Sequence, residues 1–196
     1  MQPETKDVDV GGSPLSVITF LFTDIEASTR RWEADPATMR AVMERHDLPL
    51  TGAIETNGGR VVLERGEGDS FFAVFERPAA AVSAALDGQR ALAAEPWPDS
   101  SPVKVRMAIH TGEADAQIRG PEVNRAARIR AVAHGGQVVV SSVSESLTQG
   151  SLPPGASLLE LGEHRLKDLS RLERVYQLIH PQLQGQFPPL FSRSAT

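Results

Sequence analysis

Two carboxylates stand where apolar strands give way to polar turns. Val17-Ile18-Thr19-Phe20-Leu21-Phe22 is β-branched and aromatic, reads as a buried strand, and runs straight into Thr23-Asp24-Ile25-Glu26. Asp69 ends a glycine-bearing turn, Arg65-Gly66-Glu67-Gly68-Asp69, between two short apolar stretches. A pair of carboxylates on a sheet rim suits Mg²⁺ carrying a triphosphate, because that ion takes oxygen ligands and keeps waters and substrate phosphates in its shell. Competing assignments are structural: Asp24 as the cap of the helix that follows, and Asp69 as an ordinary turn residue. Asn124 and Arg128 lie four apart, so both project from one face of a helix opened by Gly120-Pro121. An amide and a guanidinium at that spacing can position a ribose and neutralise charge developing on a phosphate. His110 ends a strand and reads as a packing or rim residue, since the histidines lack metal-ligand spacing. Arg125 and Arg130 read as solvated helix positions.

The elements that must hold these residues follow from periodicity. A helix is predicted over 36–55, with Met39, Val42, Met43 and His46 at helical spacing and Asn57-Gly58-Gly59 as its stop. Pro49 lies inside it and predicts a kink or break. Short strands are expected at 60–63 and 70–75. A second helix starts at Pro78, with Val82, Leu86, Gln89 and Ala93 on one side, and a strand follows over 103–110. This β-α-β-β-α-β order predicts an α+β fold with a ferredoxin-like core, its helices on one face of an antiparallel sheet. A C-terminal α/β extension completes it: a helix over 121–133, a strand at 137–141, a short helix near 143–147, and a closing pair near 158–162 and 174–179. Residues 1–14 read as a flexible arm, 15–180 as one domain, and 181–196 as a Pro-containing tail or linker stub.

Bulk properties bound the function. With 196 residues, 40% of them hydrophobic, the chain can fill one core. A formal charge of −5 argues against a nucleic-acid backbone as the main partner. The sequence holds no cysteine, which excludes disulfides and thiolate chemistry and makes the cytoplasm the default compartment. Neither a run of roughly 20 apolar residues nor an export signal is visible, so no membrane partner is expected.

Three blocks then combine. Phe20-Leu21-Phe22-Thr23-Asp24-Ile25-Glu26-Ala27-Ser28-Thr29, Arg65-Gly66-Glu67-Gly68-Asp69-Ser70 and Gly120-Pro121-Glu122-Val123-Asn124-Arg125-Ala126-Ala127-Arg128 resemble, in order and spacing, the motifs of class III adenylate and guanylate cyclases, bacterial members above all. Leu161-Gly162-Glu163-His164-Arg165-Leu166-Lys167-Asp168-Leu169 is also similar to that group. The resemblance spans roughly residues 15 to 180. It implies that Asp24 and Asp69, helped by the Ile25 carbonyl, hold two Mg²⁺ or Mn²⁺ ions. It further implies that Asn124 orients the ribose, that Arg128 stabilises the transition state, and that Lys167 meets the terminal phosphates. The substrate would be a nucleoside triphosphate, and the partner a second copy in a homodimer with composite sites: aspartates from one chain, Asn124 and Arg128 from the other.

The base-reading positions depart from the adenylate cyclase pattern. Arg65 stands where Lys is usual, and Gln117 where Asp or Thr is usual, in a segment that is shorter than the norm. Arg65 can donate to adenine N1 and the Gln117 carbonyl can accept from N6, which keeps ATP as first expectation. A guanidinium also suits guanine O6 and N7, so GTP or a pyrimidine triphosphate stands behind it. A catalytically weak regulatory or nucleotide-binding module on the same fold comes next. A diguanylate cyclase comes last, because its acidic loop motif is missing.

Overall fold

The computed structural model describes residues 15–62, 69–97 and 102–194. The expected arm at 1–14 and Arg65 lie outside them. Thirteen elements follow in chain order. They are β1 (Ser16–Ile25), α1 (Ser28–Ala34), α2 (Pro36–Thr56), β2 (Arg60–Val61), β3 (Phe72–Phe75), α3 (Pro78–Ala94), β4 (Val105–Ala114), α4 (Pro121–Ala131), β5 (Val138–Ser141), α5 (Ser142–Thr148), β6 (Ser157–Arg165), β7 (Glu173–Ile179) and β8 (Arg193–Ser194). The strands form one sheet ordered β2-β3-β1-β4-β5-β7-β6-β8, mixed only where β4 and β5 run parallel across the α4 crossover.

The α+β architecture and the ferredoxin-like order are as predicted. The central strand shows why. From Thr19 to Ile25 every residue of β1 is buried, so both faces of the sheet are covered there. Leu21 and Ile25 pack with α2 and α3 residues such as Leu50, Ile54, Val82 and Leu86. Phe20 and Phe22 face the other way, onto Phe72 and onto Val123 and Ala126 of α4. An unbroken apolar strand is what two-sided burial requires.

Pro49 does not break α2, which continues for 21 residues. An interior proline costs about 3 kcal/mol or more. His46, Leu50, Ala53 and Ile54, buried on both sides of it, offset that cost. The helix starts firmly: Asp35 accepts hydrogen bonds from the N–H groups of Ala37 (3.1 Å) and Thr38 (3.0 Å), with Pro36 at the first helical position. The periodicity did not announce α1, and the 181–194 segment, expected as a tail, runs back over the molecule to pair β8 with β6.

Candidate active site

The β1–β4 register sets the surroundings of Asp24. Asp24 lies opposite Arg106, and the side chains form an ion pair between Oδ2 and Nη2. Thr23 extends the link on the other side, since its hydroxyl accepts from the Phe71 N–H at 3.1 Å and its own N–H donates to the Phe71 carbonyl at 2.9 Å. That holds Asp69-Ser70-Phe71 against the end of β1. Asp24 and Asp69 are both buried, and they are close enough for the charge of one to act on the other. Burial pushes the Asp24 carboxyl above the usual carboxylate range and Asp69 adds to the rise, against the opposing pull of Arg106 and Arg130.

Asp24 does not serve as a helix cap, and the turn that Asp69 ends lies outside the described residues. Helix α1 has Ala27 at its N-cap position and no side-chain cap, so Asp24 is not one. Among the described residues, no hydrogen-bond donor meets the buried carboxylate oxygen Oδ2 of Asp69. Leaving an anionic oxygen buried and unmet is costly, and a cation is the partner it fits. Among the described residues no three His, Cys, Asp or Glu side chains cluster as a closed cage. Two carboxylates, rather than a full protein cage, are the ligand set of an ion that retains water and phosphate ligands. Ile25 itself is fully buried, anchoring the backbone whose carbonyl would join them.

Arg130 and Arg106 are the site residues that the sequence did not point to. Arg130, expected as solvated, lays Nη1 at 3.3 Å from both the Thr23 carbonyl and the Ser70 hydroxyl. Arg106 could have been suspected as a lone cation in the apolar run Val105-Arg106-Met107-Ala108-Ile109, but only the register shows that it faces Asp24. Arg125 is also paired rather than solvated, with Nη1 2.6 Å from Glu173.

The other site residues expected from the sequence lie elsewhere on the chain. Successive helical residues turn by about 100°, so Arg128 and Arg130 point to nearly opposite sides of α4. While Arg130 meets the chain's own β1, Arg128 opens into a cleft of about 580 Å³ whose walls include Arg165, Lys167, Asp168, Leu169 and Phe191. Its Nη2 lies 2.8 Å from Asp168. Asn124 is exposed one turn earlier on the Arg128 side. Neither Asp24 nor Asp69 lines this cleft. Gln117 is exposed in the turn after β4, its N–H held at 3.0 Å by Asp115. Asp24 pairs with Arg106 and Ser16 with Ala114, so that turn lies roughly 26 Å along the strand from the acidic pair, at about 3.3 Å per residue.

Helix α4 is held at a fixed height against the sheet. His110 is buried, with Nε2 2.7 Å from a Glu122 carboxylate oxygen and Nδ1 2.8 Å from the Ser141 hydroxyl. Glu122 must accept, so Nε2 carries the proton and Nδ1 accepts from Ser141. Burial holds the His110 pKa below its ordinary value against the upward pull of Glu122. Gly112 permits the close approach: a Cβ there would fall 2.6 Å from Glu122 side-chain atoms.

The family model for the adenylate and guanylate cyclase catalytic domain matches residues 12–179. An uncharacterized protein of Mycobacterium tuberculosis (strain ATCC 25618 / H37Rv) is 42% identical over 180 residues, covering 90% of this chain and 61% of the relative, so the chain spans about three fifths of that relative's length. An adenylate cyclase of Schizosaccharomyces pombe is 29% identical over 231 residues, covering 92% of this chain and 14% of that protein. In fold, the chain is similar to an adenylate cyclase of Trypanosoma brucei solved in its monomeric state, with a TM-score of 0.75 at 24% identity over 89% of this chain and 94% of the other. The chain therefore belongs to the adenylate and guanylate cyclase catalytic-domain family.

Proposed function

We propose that the protein is a cytoplasmic, homodimeric nucleotidyl cyclase that converts a nucleoside triphosphate, ATP foremost, into a 3′,5′-cyclic nucleotide and pyrophosphate, with two Mg²⁺ or Mn²⁺ ions per site. The observation that carries it is the division of charge within one chain. Asp24 and Asp69 form a buried anionic rim with an unmet carboxylate oxygen, and Arg128 and Lys167 line a separate cationic cleft. The first suits metal ions and the second suits the phosphates they carry. Two chains paired head to tail set one against the other, twice.

When bound, the ions supply a lowered pKa for the ribose 3′-hydroxyl and compensation of the triphosphate charge. Asp24, Asp69 and the Ile25 carbonyl would hold them. Asn124, with an amide that both donates and accepts, orients the ribose so that its 3′-oxygen lies in line with the α-phosphorus. Arg128, one turn on, meets the charge that develops there, and Lys167 holds the terminal phosphates that leave as pyrophosphate. Arg106, the ion-pair partner of Asp24, would compete with a metal ion for that carboxylate and could serve a phosphate oxygen instead. Arg65 and Gln117 read the base. Their amide and guanidinium accept adenine, but the guanidinium suits guanine as well, which keeps GTP and pyrimidine triphosphates as the second reading.

Incubation of the purified protein with each of the four ribonucleoside triphosphates and Mg²⁺ or Mn²⁺, with products identified by mass spectrometry, tests this directly. A cyclic monophosphate with ATP as best substrate is expected. Cyclic product mainly from another triphosphate would move the base assignment, and no cyclic product from any would leave a nucleotide-binding module.

A further inference from the structure

The match to the family domain ends at residue 179, yet the chain beyond it is bound closely to that domain. The Pro189 carbonyl accepts from His134 Nε2 at 2.9 Å. Phe191 donates its N–H to the Val132 carbonyl, also at 2.9 Å, which occupies one of the acceptors left free where α4 ends. Leu190 is buried among Ile129, Val132, Val139, Leu166 and Val175. The Phe191 ring lies 4.1 Å from the His134 ring between centroids. Ser192 shares a 2.7 Å hydrogen bond with His164, and β8 pairs with the last two residues of β6, His164 and Arg165.

The hydrogen bonds among these attachments fall at two places, while Leu190 also packs on β5 and β7. One is the end of α4, four residues beyond Arg128. The other is the end of β6, two residues before Lys167. The same segment also supplies Phe191 as a wall of the cleft that Arg128 and Lys167 share. The direct link across that cleft, Arg128 to Asp168, is an exposed ion pair, and such pairs fix little by themselves. We infer that residues 187–194 form a strap that positions Arg128 and Lys167 relative to each other, so that the cyclase half-site extends beyond the family domain. This rests on the proposed phosphate-binding roles of those two residues. Leu190 is a positioning residue that acts through α4 and the β6 end, with no contact of its own to substrate.

The test uses the full chain with Leu190→Ala, Leu190→Glu and Leu190→Met. A misplacement of about 1 Å can cost about a hundredfold in rate, so the alanine and glutamate variants should lose about ten- to a hundredfold in kcat/KM while methionine, which refills the volume, restores most of it. Co-expression then locates the lesion. In mixed dimers the Leu190→Glu chain, or Leu190→Ala should the glutamate variant not fold, should recover activity with an Asp24→Ala partner and not with an Arg128→Ala partner. Wild-type kcat/KM in the alanine and glutamate variants would overturn the strap. So would recovery with the Arg128→Ala partner, or failure with both partners while Asp24→Ala and Arg128→Ala chains complement each other. If those two chains do not complement each other, the composite site itself falls. The strap is then judged on kcat/KM alone, by loss in the alanine variant and rescue in the methionine variant.

Discussion

Asp24 is held in a setting that opposes its own charge. Burial and the neighbouring Asp69 raise its pKa, and Arg106 and Arg130 compensate only in part. For a carboxyl whose folded pKa lies above its unfolded value, the stabilising contribution is that of the protonated form. It is full below the unfolded value and is lost as pH rises through the folded one. At neutral pH the charged Asp24 therefore works against folding, as a residue kept for the proposed metal site would. Asp24→Asn should abolish cyclisation yet raise the melting temperature of the metal-free protein, by about 2–4 °C for each kcal/mol recovered in a chain of this size. Thermal unfolding in the presence of a chelator checks it, and a clear fall in melting temperature would show that the lost Arg106 pair outweighs the relieved burial. The roles proposed for the aspartates, Asn124 and Arg128 could be read from the sequence because each stands in a short local motif. Arg106 and Arg130 could not, because their roles depend on strand register and on a helix face meeting β1, which one stretch of sequence does not contain.

At the scale of elements, α4 carries the account. Its outer face bears Asn124 and Arg128, its inner face Arg130, and its height is set by the buried His110–Glu122 pair over Gly112. The groups that face His110 are Glu122, Ser141, Glu173 and Arg125. Its folded pKa lies below the ordinary value of about 6.5, so the unfolded chain takes up the proton first as pH falls. The stability it contributes is present above that value and declines as pH drops through the interval beneath it. Thermal unfolding measured from pH 7.5 down to 5 should show that decline, and His110→Gln should flatten it. An identical slope in both proteins would remove His110 from the explanation. Periodicity located α2, α3 and α4 to within a few residues. It misjudged Pro49, because the cost of an interior proline is local while the burial that offsets it comes from α3 and the sheet.

For the whole molecule, the question is whether one chain suffices. Asp24 and Asp69 lie at the end of β1, while Arg128 and Lys167 open into a cleft that neither aspartate reaches. Among the described residues no helix is long and apolar enough to cross a membrane. The segment after β7 reads as a tail in the sequence because its anchors, His134, Val132 and His164, lie 28 or more residues away and its own composition is that of a linker.

Mixed dimers of Asp24→Ala and Arg128→Ala chains put the composite site to the most direct test. Each variant alone spoils both sites of its homodimer. A mixed dimer collects both lesions in one site and leaves the other intact. With random pairing about half the dimers are mixed, so co-expressed chains should regain roughly a quarter of the wild-type activity per chain. Dimer formation is verified by size, and cyclic product is measured by mass spectrometry. Recovery near that fraction is the result expected from aspartates and arginine acting across two chains. Persistent inactivity of verified mixed dimers would contradict it.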